Sequence, residues 1–142
     1  MIYTETKLRV RYAETDQMGF VYYGHYAQYF EVARTDWVRS LGTPYRDFEH
    51  TYGVMLPVLE LQVNYKKAAT YDDVLTIRTY VREQPGIKIR FEHEIVNEAG
   101  EVLVTGHVVL VFVNKETMKP CRPPAFFLEQ VAHAWKAETS LA

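Results

Sequence analysis

The sequence predicts an α+β fold in which one long amphipathic helix precedes an antiparallel sheet. Two periodicities carry this. Apolar residues recur at helical spacing from Tyr26 to Leu41, and at a spacing of two from Leu59 to Ile95. The strands also follow one another across short turns such as Pro85-Gly86, which is the signature of a meander and not of strand–helix–strand units.

Lys7 to Tyr12 reads as the first strand. In the helix, Tyr26, Tyr29, Phe30, Ala33, Trp37 and Leu41 form the stripe to be buried, while Gln28, Glu31, Thr35 and Arg39 point elsewhere. Gly42 and a turn at Thr43-Pro44 stop it, and Tyr45 to Tyr52 reads as a short second helix. From Val54 the period changes. Leu59, Leu61, Val63 and Tyr65 alternate with Glu60, Gln62 and Asn64, which predicts a half-buried strand. Leu75, Ile77, Thr79 and Val81 alternate with Thr76, Arg78, Tyr80 and Arg82. After the Pro85-Gly86 turn, Ile87, Ile89, Phe91, His93 and Ile95 alternate with Lys88, Arg90, Glu92 and Glu94. Val102 to Val113 is apolar on both faces, as expected of a strand covered on both sides. Pro120, Pro123 and Pro124 end the sheet, and Phe126 to Ala137 reads as a terminal helix.

The 142 residues are expected to form one domain over 1–142, with 48% apolar and 24% charged residues arguing against disorder. A net charge of −2 offers no bulk attraction for nucleic acid. No segment approaches the ~20 apolar residues needed to span a membrane. Met1 to Glu5 lacks the regions of a signal peptide, and Cys121 stands alone, so no intrachain disulfide is expected and the cytoplasm is the expected location. Aromatic residues reach 14%, many of them gathered between Tyr12 and Phe30.

That gathering contains the segment in which chemistry is expected, Tyr12-Ala13-Glu14-Thr15-Asp16-Gln17-Met18-Gly19-Phe20-Val21-Tyr22-Tyr23-Gly24-His25-Tyr26. A strand end, a carboxylate and a glycine turn lead into a helix start. Helix N-termini carry free N–H groups and the positive end of the dipole, so they hold anions and developing negative charge. Asp16 upstream of such a site suits acyl transfer or hydrolysis. On spacing alone, Asp16 is equally a turn or cap aspartate that satisfies backbone N–H groups.

Asp16, Gly19, Tyr23 and Tyr26, followed by Tyr29-Phe30 and Ala33-Arg34, resemble the signature of hotdog-fold acyl-CoA thioesterases of the 4-hydroxybenzoyl-CoA thioesterase type, closest to the branch of Tol-Pal-associated enzymes. The resemblance extends from about Thr6 to the region of Pro123. It implies a five-stranded antiparallel sheet wrapped around the long helix, and a homo-oligomer, either a dimer or a dimer of dimers. It also implies hydrolysis of an acyl-CoA or acyl-carrier-protein thioester without any cofactor. By the same resemblance Asp16 is the nucleophile or the general base for water, and the backbone N–H of Tyr23, with help from Gly24, polarises the thioester carbonyl. Tyr23 departs from the Tol-Pal-associated branch, which carries His there, so an acid/base role for that side chain does not transfer.

Around this pair, Tyr12 is expected to shape the wall near Asp16, and Gly19, Gly24 and Tyr26 to contribute to substrate binding. Phe20, Tyr22 and Tyr29 are further candidates for an acyl tunnel, although some of these rings must fill the core. His25 is read as a polar, non-catalytic residue at the rim, despite imidazole being the usual acid/base group near neutral pH. Glu14 is expected to face solvent, the alternative being a second carboxylate that raises the Asp16 pKa. His93 and His107 are expected to be satisfied core histidines. No His, Asp and Glu spacing forms a metal set, so no metal is expected. Arg78, Arg82, Lys88 and Arg90 share one strand face, which reads either as a solvated face or as a landing site for coenzyme A phosphates; Lys66 and Lys67 are a second choice. Two alternatives stand beside hydrolysis: a non-catalytic hotdog that binds acyl-CoA, and a hotdog dehydratase or hydratase, for which Asp16 lacks a partner His at the required spacing.

Overall fold

The computed structural model describes residues 1–42 and 46–141, with side chains up to residue 138. The predicted turn at Thr43-Pro44 and the predicted helix start at Tyr45 lie outside the described residues.

Strands β1 (Ile2–Arg9), β3 (Val58–Tyr65), β4 (Val74–Val81), β5 (Lys88–Val96) and β6 (Val102–Val111) form one five-stranded antiparallel sheet in the order β1-β4-β5-β6-β3. Helix α1 (His25–Ser40) lies across one face of it, packed on β1, β4 and β3. A short helix α2 (Arg46–His50), a two-stranded ribbon of β2 (Val54–Met55) with β7 (Val113–Asn114), and helix α3 (Ala125–Leu141) close one end. This is the hotdog arrangement.

The helix stripe read from the sequence is the buried one: Tyr26, Tyr29, Phe30, Ala33 and Trp37 are all 2% exposed or less. It meets the inward rows Leu75-Ile77-Thr79-Val81 of β4 and Ile89-Phe91-His93-Ile95 of β5, with Trp37 edge-on to Phe91 and Phe30 stacked on His93. A buried aromatic or aliphatic side chain of this kind contributes about 1.5–3 kcal/mol by leaving water, so this row holds helix to sheet.

Three expectations change. The first strand runs from Ile2 to Arg9, because all eight of its residues pair with β4, from Ile2 opposite Val81 to Arg9 opposite Val74; Tyr12–Glu14 is instead a turn of 3₁₀ helix. Strand β3 is not half-buried. It is the edge strand, beyond the reach of α1 over most of its length, and Val58, Leu59, Leu61 and Tyr65 are all about half exposed. Strand β6 is buried on its inner row at Val104, Val108 and Leu110, while Thr105, His107, Val109 and Val111 on the outer row are only half-buried. Helix α3 packs through Phe127 onto Phe48 and Phe112 and reaches β1.

Candidate active site

The chain between β1 and α1 is held by backbone pairing at both ends. Val10 N–H donates to the Asp73 carbonyl at 2.9 Å, and the Val10 carbonyl accepts the Asp72 N–H at 3.1 Å. Thr15 bridges Val21, whose N–H donates to Ala69 at 2.9 Å. Between these ties the chain makes a tight reversal. Asp16 N–H donates to the Phe20 carbonyl at 2.7 Å, and Gly19 N–H returns to the Asp16 carbonyl at 3.0 Å. Gly19 has φ +81°, a left-handed conformation that glycine adopts without the steric cost of a Cβ. Asp16 Oδ1 accepts the N–H groups of Met18 at 2.9 Å and Phe20 at 3.2 Å. The carboxylate is therefore anchored through one oxygen, and Oδ2 makes no hydrogen bond among the described residues.

The reversal delivers the chain to the start of α1. His25 N–H donates to Tyr22 and Tyr26 N–H to Tyr23, while the N–H groups of Tyr23 and Gly24 make no backbone hydrogen bond among the described residues. These are two of the orphan donors of a helix start. A cavity of about 310 Å³ lies beside them, lined by Asp16, Phe20, Val21, Tyr23, Tyr26, Tyr65, Lys66, Lys67 and Ala68. Asp16, Tyr23 and Tyr26 thus come together as the motif implied. Tyr26 is buried, its hydroxyl accepts the Ala69 N–H at 3.1 Å, and burial first of all pushes its pKa up, so it is a neutral wall group.

The far wall is Tyr65 at the end of β3, which sequence reasoning missed as a site residue. Its ring meets Tyr23 and Tyr26 edge-on, and its hydroxyl donates to the Tyr23 carbonyl at 3.4 Å. Its only signal in sequence is a place in the alternating row of β3. Lys66 and Lys67 follow it into the cavity; Lys67 is ion-paired with Glu101 at 2.8 Å.

Other expected residues stand apart. Tyr12 is 77% exposed, turned edge-on to Tyr71 and absent from the cavity wall, because the 3₁₀ turn rotates it away from Asp16. His25 is hydrogen-bonded to Gln28 at 2.8 Å on the helix surface and does not line the cavity. Gly24 is the N-cap of α1. Arg78 and Arg82 lie on the outer face of the sheet in ion pairs with Glu94 (2.9 Å) and Glu92 (2.7 Å), and Lys88 and Arg90 are exposed on β5. None of these four borders the Asp16 cavity.

Glu14 does not face solvent. It is 6% exposed, and Oε1 accepts the Arg11 N–H at 2.8 Å and the Tyr29 hydroxyl at 3.0 Å. Burial alone would raise its pKa, but the bonds from Arg11 and Tyr29 and the Arg11 charge hold the carboxyl below the usual range. The i,i+3 spacing of Arg11 and Glu14 is the sequence signal for this contact. His93 is buried, with Nδ1 3.0 Å from Thr79 Oγ1, and desolvation, helped by Arg34, lowers its pKa to about 3. His107 is on the outer face instead of in the core, paired with Glu60 at 2.9 Å.

The family model of the thioesterase-like superfamily matches residues 10–131, from the end of β1 into α3. The chain belongs to this superfamily. Among its relatives, the acyl-CoA thioesterase candidate YneP of Bacillus subtilis is 37% identical over 117 residues, covering 82% of this chain and 84% of the relative. The acyl-CoA thioesterase YbgC of Haemophilus influenzae is 32% identical over 117 residues, covering 82% and 85%. A solved DHNA-CoA thioesterase from Staphylococcus aureus superposes with a TM-score of 0.87 at 39% identity, over 99% of this chain and 93% of that one. The resemblance to hotdog acyl-CoA thioesterases read from the motif is borne out for family and fold.

Proposed function

We propose that this member of the superfamily hydrolyses an acyl-CoA thioester, or one carried on acyl carrier protein, to the free acid and the thiol. The observation that carries the proposal is the Asp16 cavity: one carboxylate with an uncommitted oxygen shares a pocket with a helix start whose Tyr23 and Gly24 N–H groups are unpaired among the described backbone groups. The thioester carbonyl oxygen sits on those N–H groups, which stabilise the negative charge that develops as the carbonyl becomes tetrahedral. Asp16 attacks the carbonyl carbon to form an anhydride that water then hydrolyses, or it removes a proton from a water that attacks the carbonyl directly. The C–S bond breaks, the sulfur leaves as thiolate and takes up a proton, and one water has been consumed per carboxylate formed. Phe20, Tyr26 and Tyr65 form an apolar wall for the acyl group; Gly19 and Gly24 lie off that wall and serve the site through the backbone, Gly19 by making the reversal at φ +81° and Gly24 by leaving room for the Tyr22 ring beside the helix start. Neither Tyr12 nor His25 has a chemical part in this scheme. Lys66, exposed on the cavity lining, and Lys88 and Arg90, exposed on β5, are cations available to coenzyme A phosphates, and Arg82 would have to exchange its Glu92 partner to join them.

The same reading includes a homo-oligomer. Strand β3 presents an unpaired edge and exposed Val58, Leu59, Leu61 and Tyr65, a surface that invites pairing with a second copy across a two-fold axis. A cytoplasmic location goes with a free Cys121 and with described helices that are not long and apolar enough to cross a membrane.

The test is thiol release from a panel of aromatic acyl-CoAs, a bicyclic one included, and aliphatic ones of graded length, with the native protein and an Asp16→Asn variant. We expect turnover of at least one thioester, and a loss of at least ~10³ in kcat in the variant, since an amide is neither nucleophile nor base. Binding of acyl-CoA without thiol release by the native protein would leave the non-catalytic reading in its place.

A further inference from the structure

Glu14 lies two residues before Asp16, yet it lines a different cavity, with Arg9, Arg11, Gln28 and Tyr29, on the other side of the reversal. Its carboxylate ties down two separate pieces of chain, and its backbone carbonyl, which a substitution leaves in place, holds a third. Oε1 accepts from the Arg11 N–H at 2.8 Å, where the chain leaves β1. The same oxygen accepts from the Tyr29 hydroxyl at 3.0 Å, on the body of α1. The Glu14 carbonyl accepts the Tyr22 N–H at 2.9 Å, one residue before Tyr23. Oε2 is taken by Arg11 Nη2 at 3.2 Å.

We infer that Glu14 is a positioning residue, a buried clamp that sets the distance between the Asp16 carboxylate and the N–H groups of Tyr23 and Gly24. The inference rests on the function proposed above. Both carboxylate oxygens are occupied and turned away from the Asp16 cavity, so Glu14 acts through the geometry of its neighbours and does not touch substrate. A charged acceptor suits the task, because hydrogen bonds to an ionised carboxylate are about twice as strong as neutral ones. The alignment matters because a displacement of about 1 Å between reacting groups can cost ~10² in rate.

The experiment compares native protein with Glu14→Ala, Glu14→Gln and Tyr29→Phe. It measures kcat, KM and the pH profile on the best thioester, and backbone hydrogen exchange of the peptide spanning residues 12–26. Glu14→Ala should lower kcat by about 10- to 100-fold, with KM changed less than about threefold and the acid limb of the profile in place. Its 12–26 peptide should exchange faster while the β4–β5 hairpin stays protected. Glu14→Gln should recover most of the loss, since the amide oxygen accepts from Arg11 N–H and Tyr29 alike and the exposed Arg11 guanidinium can turn away. Tyr29→Phe removes one tie only, and carries the measurement if Glu14→Ala does not fold.

Native kcat and native exchange in both Glu14→Ala and Tyr29→Phe would overturn the inference. So would a Glu14→Gln protein as inactive as Asp16→Asn with a shifted acid limb, which would make Glu14 a direct participant. A native protein that hydrolyses no thioester sinks the thioesterase reading alone, because the exchange of residues 12–26 still decides whether Glu14 clamps the reversal.

Discussion

Phe30 of α1 lies directly against Gly106 of β6: a Cβ at Gly106 would stand 2.8 Å from Phe30 Cε2 and 2.2 Å from the Gln62 carbonyl oxygen of β3. The missing side chain lets the helix sit close to the sheet and lets β3 pair with β6 at the same level, where Val63 is opposite Gly106.

Gly106→Ala should therefore destabilise the protein by at least about 2 kcal/mol, since neither backbone oxygen nor packed ring can move aside cheaply. Thermal unfolding should show a melting temperature several degrees lower. A variant that melts with the native protein would mean that the sheet opens here at little cost.

His93 makes stability pH-dependent. Its pKa is about 3 in the folded chain against 6.5 for a free imidazole. Below pH 6.5 the unfolded chain binds a proton that the folded chain refuses, so this contribution to stability is intact above pH 6.5 and declines as pH falls towards 3. The limiting slope is about 1.4 kcal/mol per pH unit. Glu14 acts in the same sense, but only as pH falls through the depressed carboxylate range. Replacing His93 by Phe together with Thr79→Val leaves no stranded hydroxyl, and should flatten urea-unfolding stability between about pH 6.5 and about pH 4.5. An unchanged slope in that window would assign the proton uptake elsewhere.

The Tyr23 backbone and side chain can be separated. Tyr23→Phe keeps the N–H and the ring contacts with Tyr22 and Tyr65, and loses the phenol oxygen alone. Its kcat should fall less than about tenfold, or ~1.4 kcal/mol of barrier. A Tyr23→Phe enzyme as inactive as Asp16→Asn, with native circular dichroism, would transfer the role from the N–H to the hydroxyl.

Leu61, opposite Val108 on the exposed edge strand, tests the assembly. Leu61→Lys should shift the protein from dimer or tetramer towards monomer in sedimentation velocity at micromolar concentration, because an edge lysine discourages strand pairing. A native protein that is already monomeric would remove β3 as an oligomer interface.

Much of this was determined by local pattern in the sequence. The period of the α1 stripe, the alternation of β4 and β5 and the Pro85-Gly86 turn each report how a segment faces a core, and burial agrees with them along the helix, from Leu75 to Val81 and from Ile89 to Ile95; Ile87, read into the same row, lies ahead of β5 and is about half exposed. The Asp16-to-Tyr26 motif was legible for a related reason. Its carboxylate, glycine turn and helix start are consecutive in the chain, so their proximity needs no long-range contact. Glu14, Tyr65, β3 and His107 were decided only by the tertiary structure. Glu14 is buried because Tyr29, fifteen residues on, turns its hydroxyl back onto it. Tyr65 reaches the cavity because β3 pairs with β6 and ends beside Tyr23. An alternating strand reads the same whether it lies at the centre of a sheet or at its edge, since alternation records which residues share a face and not whether anything covers that face. Strand order is set by pairing between distant segments, and it is this order that left β3 exposed and set His107 opposite Gln62, within reach of Glu60 on the outer surface.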